Sequence, residues 1–252
     1  MGAEGLNLAE TAIQSGSQIP LSDIKVLAPF PCPQRNVMCV GKNYFEHSKE
    51  FEKSGFDSTS GGQTIPDAPV IFTKATTSIT GTDEPIPASS DPTGSTDYEG
   101  ELGVVIGKTG RNITKAQVFD YIYGYTIIND VTARTLQQHH KQWFLGKSLD
   151  GFCPMGPFLV TADEIDDVTS LNVRTWVNDE LRQDACVKDL IFDIPTIIET
   201  ISSLFTIIPG DIIATGTPAG VGIGFTPPKF LKAGDHVKIE IDKLGSLKNP
   251  VT

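Results

Sequence analysis

Asp97-Tyr98-Glu99-Gly100-Glu101-Leu102 runs without a break into Gly103-Val104-Val105-Ile106. The second half is apolar and rich in β-branched residues, the pattern of a buried strand. Residues two apart on a strand share a face. Glu99 and Glu101 therefore point one way, and Tyr98, Gly100 and Leu102 the other. Two carboxylates side by side at the mouth of an apolar strand repel each other and resist losing water. They persist if solvent reaches them, if one is protonated, or if a cation lies between them.

A third carboxylate lies within reach along the chain. Gly124-Tyr125-Thr126-Ile127-Ile128 reads as a second buried strand and ends at Asn129-Asp130. The spacing predicts a helix over Val131–Gln137 with Asp130 as its N-cap, so that Arg134 and Gln137 share a helical face with it. Glu99, Glu101 and Asp130, without His or Cys, make an all-oxygen set. Such a set suits Mg²⁺, Mn²⁺ or Ca²⁺ rather than Zn²⁺ or copper. Taken singly, Glu-Gly-Glu is an ordinary solvated strand end and Asp130 an ordinary cap. What shifts the reading is the company they keep.

The chain has 252 residues, enough for one large domain or two small ones. Its 24 Gly and 17 Pro favour a turn-rich, β-rich structure over a helical bundle. A net charge of −11 argues against nucleic acid and anionic membrane as partners. No apolar run approaches the ~18 residues of a membrane helix. The first twenty residues lack the basic start and apolar centre of a secretory signal. Cys32, Cys39, Cys153 and Cys186 form no CxxC, so they read as free thiols, each most simply a small buried hydrophobe. A cytoplasmic protein is expected, or a mitochondrial one if the source is eukaryotic.

Residues 1–35 read as a weakly patterned lead-in and 36–252 as one β-rich domain with peripheral helices. Asn36–Val40 is a short strand that delivers Gly41-Lys42-Asn43-Tyr44-Phe45-Glu46-His47-Ser48-Lys49-Glu50. A helix after Asn43 makes His47 and Glu50 neighbours at i and i+3, and a His oriented by a Glu is a suitable general base. The Gly/Ser/Thr-rich segment that follows predicts a lid over about residues 47–68. Pro69–Lys74 reads as another strand, and Thr114–Tyr123 as a short helix. Lys147 falls in a Gly-flanked loop. Val173–Gln183 reads as a hairpin turning at Asn178-Asp179, and Asp193 caps a core helix over Ile194–Phe205. Thr215–Gly222 is a Gly-rich loop whose amides could approach an anion, and His236–Ile241 reads as the final strand.

Together these stretches resemble the fumarylacetoacetate hydrolase family. The match rests on residues 41–50, 97–102, 124–137, Gly-Lys-Ser-Leu-Asp-Gly-Phe-Cys-Pro-Met-Gly-Pro at 146–157, and Pro-Gly-Asp-Ile-Ile-Ala-Thr-Gly-Thr-Pro-Ala-Gly-Val-Gly at 209–222, all in order. The resemblance implies a β-rich α+β fold, a mixed β-sandwich roll with peripheral helices, that forms a homodimer. It implies Glu99, Glu101 and Asp130 as ligands of Mg²⁺ or Mn²⁺, with Ca²⁺ possible. It also implies His47 and Glu50 as a catalytic dyad, Lys147 as a catalytic cation, and Arg134, Gln137 and Thr217 as substrate-binding groups.

Family members act on small anionic keto acids. Carboxylate and keto oxygens of a 2-keto acid, with three protein oxygens and one water, would complete the six-fold shell of Mg²⁺. The expected activity is metal-dependent hydrolysis of a C–C bond in a 2,4-diketo acid, acylpyruvate-like or fumarylacetoacetate-like, through a metal-stabilised enolate. The alternatives are oxaloacetate decarboxylation, oxaloacetate keto–enol tautomerisation, and a non-catalytic metal-binding module.

Overall fold

The computed structural model describes residues 3–16, 18–56 and 65–252. In chain order the main elements are α1 (Ala3–Ser15), β1 (Val37–Gly41), α2 (Phe45–Lys53), β2 (Val70–Lys74), β3 (Ile79–Thr80), β4 (Thr96–Asp97), β5 (Gly100–Ile106) and β6 (Ile122–Asn129). Next come β7 (Thr132–Ala133), α3 (Arg134–His139), α4 (Phe144–Lys147), β8 (Cys153–Thr161), β9 (Asn172–Val177) and β10 (Glu180–Cys186). The chain closes with α5 (Ile194–Leu204), β11 (Ile212–Ala214), β12 (His236–Ile241) and β13 (Gly245–Pro250).

Among the described residues the strands form a seven-stranded mixed sheet in the order β2-β1-β11-β5-β6-β8-β3, a four-stranded sheet β10-β9-β12-β13, and a small β4-β7 pair. The large sheet is mixed because β1 runs parallel to β11 and β3 parallel to β8. Strand β5 is buried at all seven positions. One side of it, through Leu102, Val104 and Ile106, packs into the main core with Val173, Ile239 and Ile241 of the smaller sheet. Val105 packs the other way, with Val37, Cys39, Ile128 and Ile212. Burial on both faces explains why β5 reads as a continuous apolar run rather than an alternation. This is the β-rich α+β architecture expected from the sequence.

Four readings change in the structure. Asp130 does not cap a helix. Thr132 and Ala133 pair with Asp97 and Thr96 instead, and α3 begins only at Arg134, after Ala133. The two β-branched residues at 131 and 132 favour extended backbone, and the Asp130 carboxylate is held by lysines rather than by helix amides. Arg134 and Gln137 still share a helical face, but Asp130 is not on that helix.

Lys147 lies on the one-turn helix α4 rather than in a loop. The strand β13 follows β12 and pairs with it along its length. Its Gly-Ser-Leu-Lys-Asn-Pro sequence buries only Leu247 and Asn249, too little for a strand pattern to register. Cys39 and Cys153 are buried, but Cys32 is exposed and Cys186 half-buried.

The lead-in carries the helix α1, rich in Ala, Glu and Leu, which favour helix. The expected lid reaches the described residues as α2. Its continuation through residues 57–64 lies outside them. No helix among the described residues is long and apolar enough to cross a membrane.

Candidate metal and substrate site

The ladder between β5 and β6 builds the centre. Gly100 pairs with Asn129 and Glu101 with Ile128. One step further, the Asp130 amide donates to the Glu99 carbonyl at 2.8 Å. Glu99 and Asp130 are therefore direct cross-strand neighbours, and Glu101 lies two residues along from Glu99. One oxygen from each of the three side chains lies within 4.8 Å of the others. All three residues are buried.

Three buried cations attend them. Lys147 Nζ bridges Glu99 Oε2 at 2.8 Å and Asp130 Oδ2 at 2.7 Å. Lys74 Nζ lies 2.7 Å from Asp130 Oδ1 and donates to the Val131 carbonyl at 2.9 Å. Arg134 Nη1 lies 2.6 Å from Glu99 Oε1, while its Nε donates to Asp97 Oδ2 at 2.9 Å. Within these contacts alone, Asp97, Glu99, Glu101 and Asp130 against Lys74, Arg134 and Lys147 leave one negative charge over, counted as −4 and +3, and the buried Lys42 also lines the pocket.

That charge belongs to Glu101. Among the described residues no ion pair reaches it, and one oxygen accepts from the Gly216 amide at 2.8 Å. Burial, and then the neighbouring Asp130 and Glu99, push its carboxyl well above the usual carboxylate range. Burial acts on Glu99 in the same direction, but Lys147 and Arg134 outweigh it and hold that carboxyl down at about 2. A hard divalent cation placed among these oxygens supplies the positive charge Glu101 lacks, so the residues fit such an ion.

The helix α2 covers the centre. His47, Ser48 and Phe51 are its buried residues. His47 Nδ1 lies 3.3 Å from Glu50 Oε2, the i, i+3 contact expected from the sequence. Phe51 packs edge-on against Trp143, which in turn meets Phe72. A Cβ on Gly41 would strike the Trp143 ring, so glycine there lets the indole lie against β1. His47, Glu99, Glu101, Arg134, Gln137, Lys147 and Thr217 line one pocket.

The Gly-rich loop after β11 does bind anions, and they are the protein's own carboxylates. Gly216 N donates to Glu101, Gly220 N to Glu50, and the amides of Gly222 and Ile223 to Asp97. Thr217 Oγ1 donates to the Gly100 carbonyl at 3.0 Å and accepts from Gln183 Nε2 at 2.7 Å. Its hydroxyl is thus tied to the frame as well as to the pocket wall. Gln137 Oε1 accepts from Arg134 Nη1 at 3.4 Å. Arg134 Nη2 and Trp143 Nε1 are buried donors without a hydrogen-bond acceptor among the described residues.

Sequence reading missed Lys74, Asp97 and Trp143. Lys74 carried a usable signal: it is a fully buried lysine closing an apolar strand, which calls for a buried carboxylate.

The model of the family described as fumarylacetoacetate (FAA) hydrolase C-terminal matches residues 36–252. The chain belongs to the fumarylacetoacetate hydrolase family.

Within this family it is 47% identical over 254 aligned residues to the oxaloacetate tautomerase YisK of Bacillus subtilis, covering 99% of this chain and 82% of that protein. A fumarylacetoacetate hydrolase from Exiguobacterium antarcticum superposes with a TM-score of 0.79 at 44% identity, over 97% of this chain and 87% of its own. A maleylpyruvate hydrolase from Sphingobium sp. SYK-6, solved in complex with manganese(II) and pyruvate, superposes with a TM-score of 0.78 at 34% identity, over 99% and 82% of the two chains. The fumarylacetoacetate hydrolase fold therefore carries the buried acidic trio of this chain.

Proposed function

We propose that the protein is a divalent-metal-dependent enzyme that interconverts the keto and enol forms of a small 2-oxo acid of the oxaloacetate type. The observation that carries this reading is a shared pocket: His47 lines it together with Glu99 and Glu101 of the carboxylate trio, Arg134 and Lys147. The likeness to a relative named as an oxaloacetate tautomerase supports the same choice.

Mg²⁺ or Mn²⁺ held by Glu99, Glu101 and Asp130 would supply Lewis-acid polarisation of the keto group. The chain's own residues do the rest. The unpartnered Nη2 of Arg134 is available to a substrate carboxylate. His47, with Nδ1 fixed by Glu50, takes the proton from the carbon beside the keto group and returns it to the oxygen. The Lys147 ammonium stabilises negative charge developing on that oxygen. Phe51, Phe72 and Trp143 keep the wall apolar and exclude water.

A second reading is C–C hydrolysis of a 2,4-diketo acid, with His47 activating a water instead. The likeness to a maleylpyruvate hydrolase solved with manganese and pyruvate favours it. Oxaloacetate and acetylpyruvate, each with Mn²⁺, with Mg²⁺ and with chelator, separate the readings. Metal-dependent decay of the enol absorbance with no pyruvate formed supports the tautomerase. Pyruvate from acetylpyruvate supports the hydrolase, and pyruvate from oxaloacetate a decarboxylase. Metal binding without turnover of either would sink every enzymatic reading.

A further inference from the structure

Glu50 makes two contacts at once. Its Oε2 meets His47 Nδ1 at 3.3 Å, and its two oxygens accept from the Gly220 amide at 3.0 and 3.2 Å. The socket it enters is made by glycine. Gly220 has φ +104°, and a Cβ there would collide with the Arg182 carbonyl. A Cβ on Gly224 would overlap the Glu50 carboxylate itself.

The other end of Gly220 is held too. Its carbonyl accepts from the Tyr98 hydroxyl at 2.7 Å. Arg182 Nη1 donates to that hydroxyl oxygen at 3.2 Å, and its guanidinium lies 5.8 Å from the Tyr98 ring. Tyr98 is fully buried and stands in the chain between Asp97, which anchors Arg134, and Glu99 of the acidic trio.

We propose that Tyr98 is a positioning residue for the proton-moving pair: its hydroxyl fixes the Gly220 peptide, the Gly220 amide fixes Glu50, and Glu50 orients His47. The proposal rests on the reading of His47 and Glu50 as that pair. A free Gly220 carbonyl would loosen the Gly220–Val221 peptide, and through the soft φ and ψ of glycine it would also loosen the Ala219–Gly220 peptide that carries the amide. The amide would then leave Glu50, and the carboxylate would be free to leave the ring. Phenylalanine at 98 keeps the aromatic packing and removes only the hydroxyl, so it isolates this link.

The test is a double-mutant cycle on the Mn²⁺-loaded enzyme with Tyr98→Phe, Glu50→Gln and the pair together. Tyr98→Phe is expected to lower kcat about tenfold, within the up to 10²-fold that a small misplacement of a catalytic group costs. KM and Mn²⁺ affinity should stay at their wild-type values. In the Glu50→Gln background the same change should cost nothing further. Nitrogen-15 spectra of the His47 ring, assigned with His47→Gln, should show the Nδ1–H signal of the wild type altered alike by Tyr98→Phe and Glu50→Gln.

An equal loss of kcat in both backgrounds, an unaltered ring signal, or a changed Mn²⁺ affinity would overturn the proposal. Wild-type kcat in both Glu50→Gln and His47→Gln would instead overturn the dyad reading, and the ring signal still tests the Tyr98 link. If Tyr98→Phe does not fold, Arg182→Gln loosens the same hydroxyl from its other side and is read by the same spectra.

Discussion

Glu99 and Asp130 are cross-strand neighbours joined by a backbone hydrogen bond of 2.8 Å, and one lysine ammonium, that of Lys147, touches both carboxylates. The strand register therefore sets two carboxylates of the candidate metal site side by side on one face, and the rotamers have only to bring their oxygens together. A one-residue slip between β5 and β6 would send one of them to the opposite face.

Asp130→Asn removes a charged oxygen donor and half the compensation of Lys74 and Lys147. Mn²⁺ affinity, measured by calorimetric titration, is expected to fall by more than about 10²-fold, beyond the 10–100-fold cost of losing an outer partner of a metal ligand. Metal-dependent turnover should disappear with it. Wild-type affinity would contradict the assignment of the trio.

Lys74→Met tests the cation that sequence reading missed. Lys74 and Asp130 are both fully buried, and breaking such a pair costs about 3–5 kcal/mol because one charge is stranded. The metal-free variant should unfold at lower urea than the wild type. Mn²⁺ should recover much of the difference, since it answers the same charge. A variant as stable as the wild type without metal would show that Asp130 is balanced by Lys147 alone.

Glu101 sets a pH dependence in the metal-free protein. Its carboxyl is raised above the ordinary value of 4.5, so the folded state holds that proton more tightly than the unfolded chain. The stability this contributes is fully present below pH 4.5 and is lost as the pH rises towards the folded-state value. Glu101→Gln, uncharged throughout, should gain on the wild type as the pH goes from 5 to about 8 in urea titrations. Glu99 does not confuse the comparison, because its contribution is lost only as the pH falls from 4.5 towards about 2. A stability difference that is flat with pH would refute the shift.

His47→Ala should lower turnover by about 10²–10⁴, the range for an acid–base group, and leave Mn²⁺ affinity intact. His47 faces the pocket from α2 and is not one of the clustered oxygen donors. Loss of metal binding in this variant would place the imidazole among the ligands instead.

Much of this site was legible because its signals are local. Alternation put Glu99 and Glu101 on one face, and i, i+3 spacing brought His47 to Glu50. The capping motif at Asp193 was also local, and its carboxylate accepts from the Thr196 amide as expected. What failed depended on partners distant in sequence. Asp130 looked like a helix cap until β4, more than thirty residues earlier, claimed Thr132 and Ala133. Lys74 looked like the end of a strand because its acceptors at 130 and 131 lie across the fold. The strand β13 has almost no apolar pattern, and its place comes from pairing with β12.

The loop from Gly216 to Ile223 grips Glu101, Glu50 and Asp97 through its peptide nitrogens. Acidic trio, covering helix and arginine anchor are thereby bolted to a single stretch of backbone. Transplanting another relative's loop into this scaffold would disturb all three together. Anyone redesigning selectivity here would do better to vary the walls at Gln137 or Phe72 and leave that hub alone.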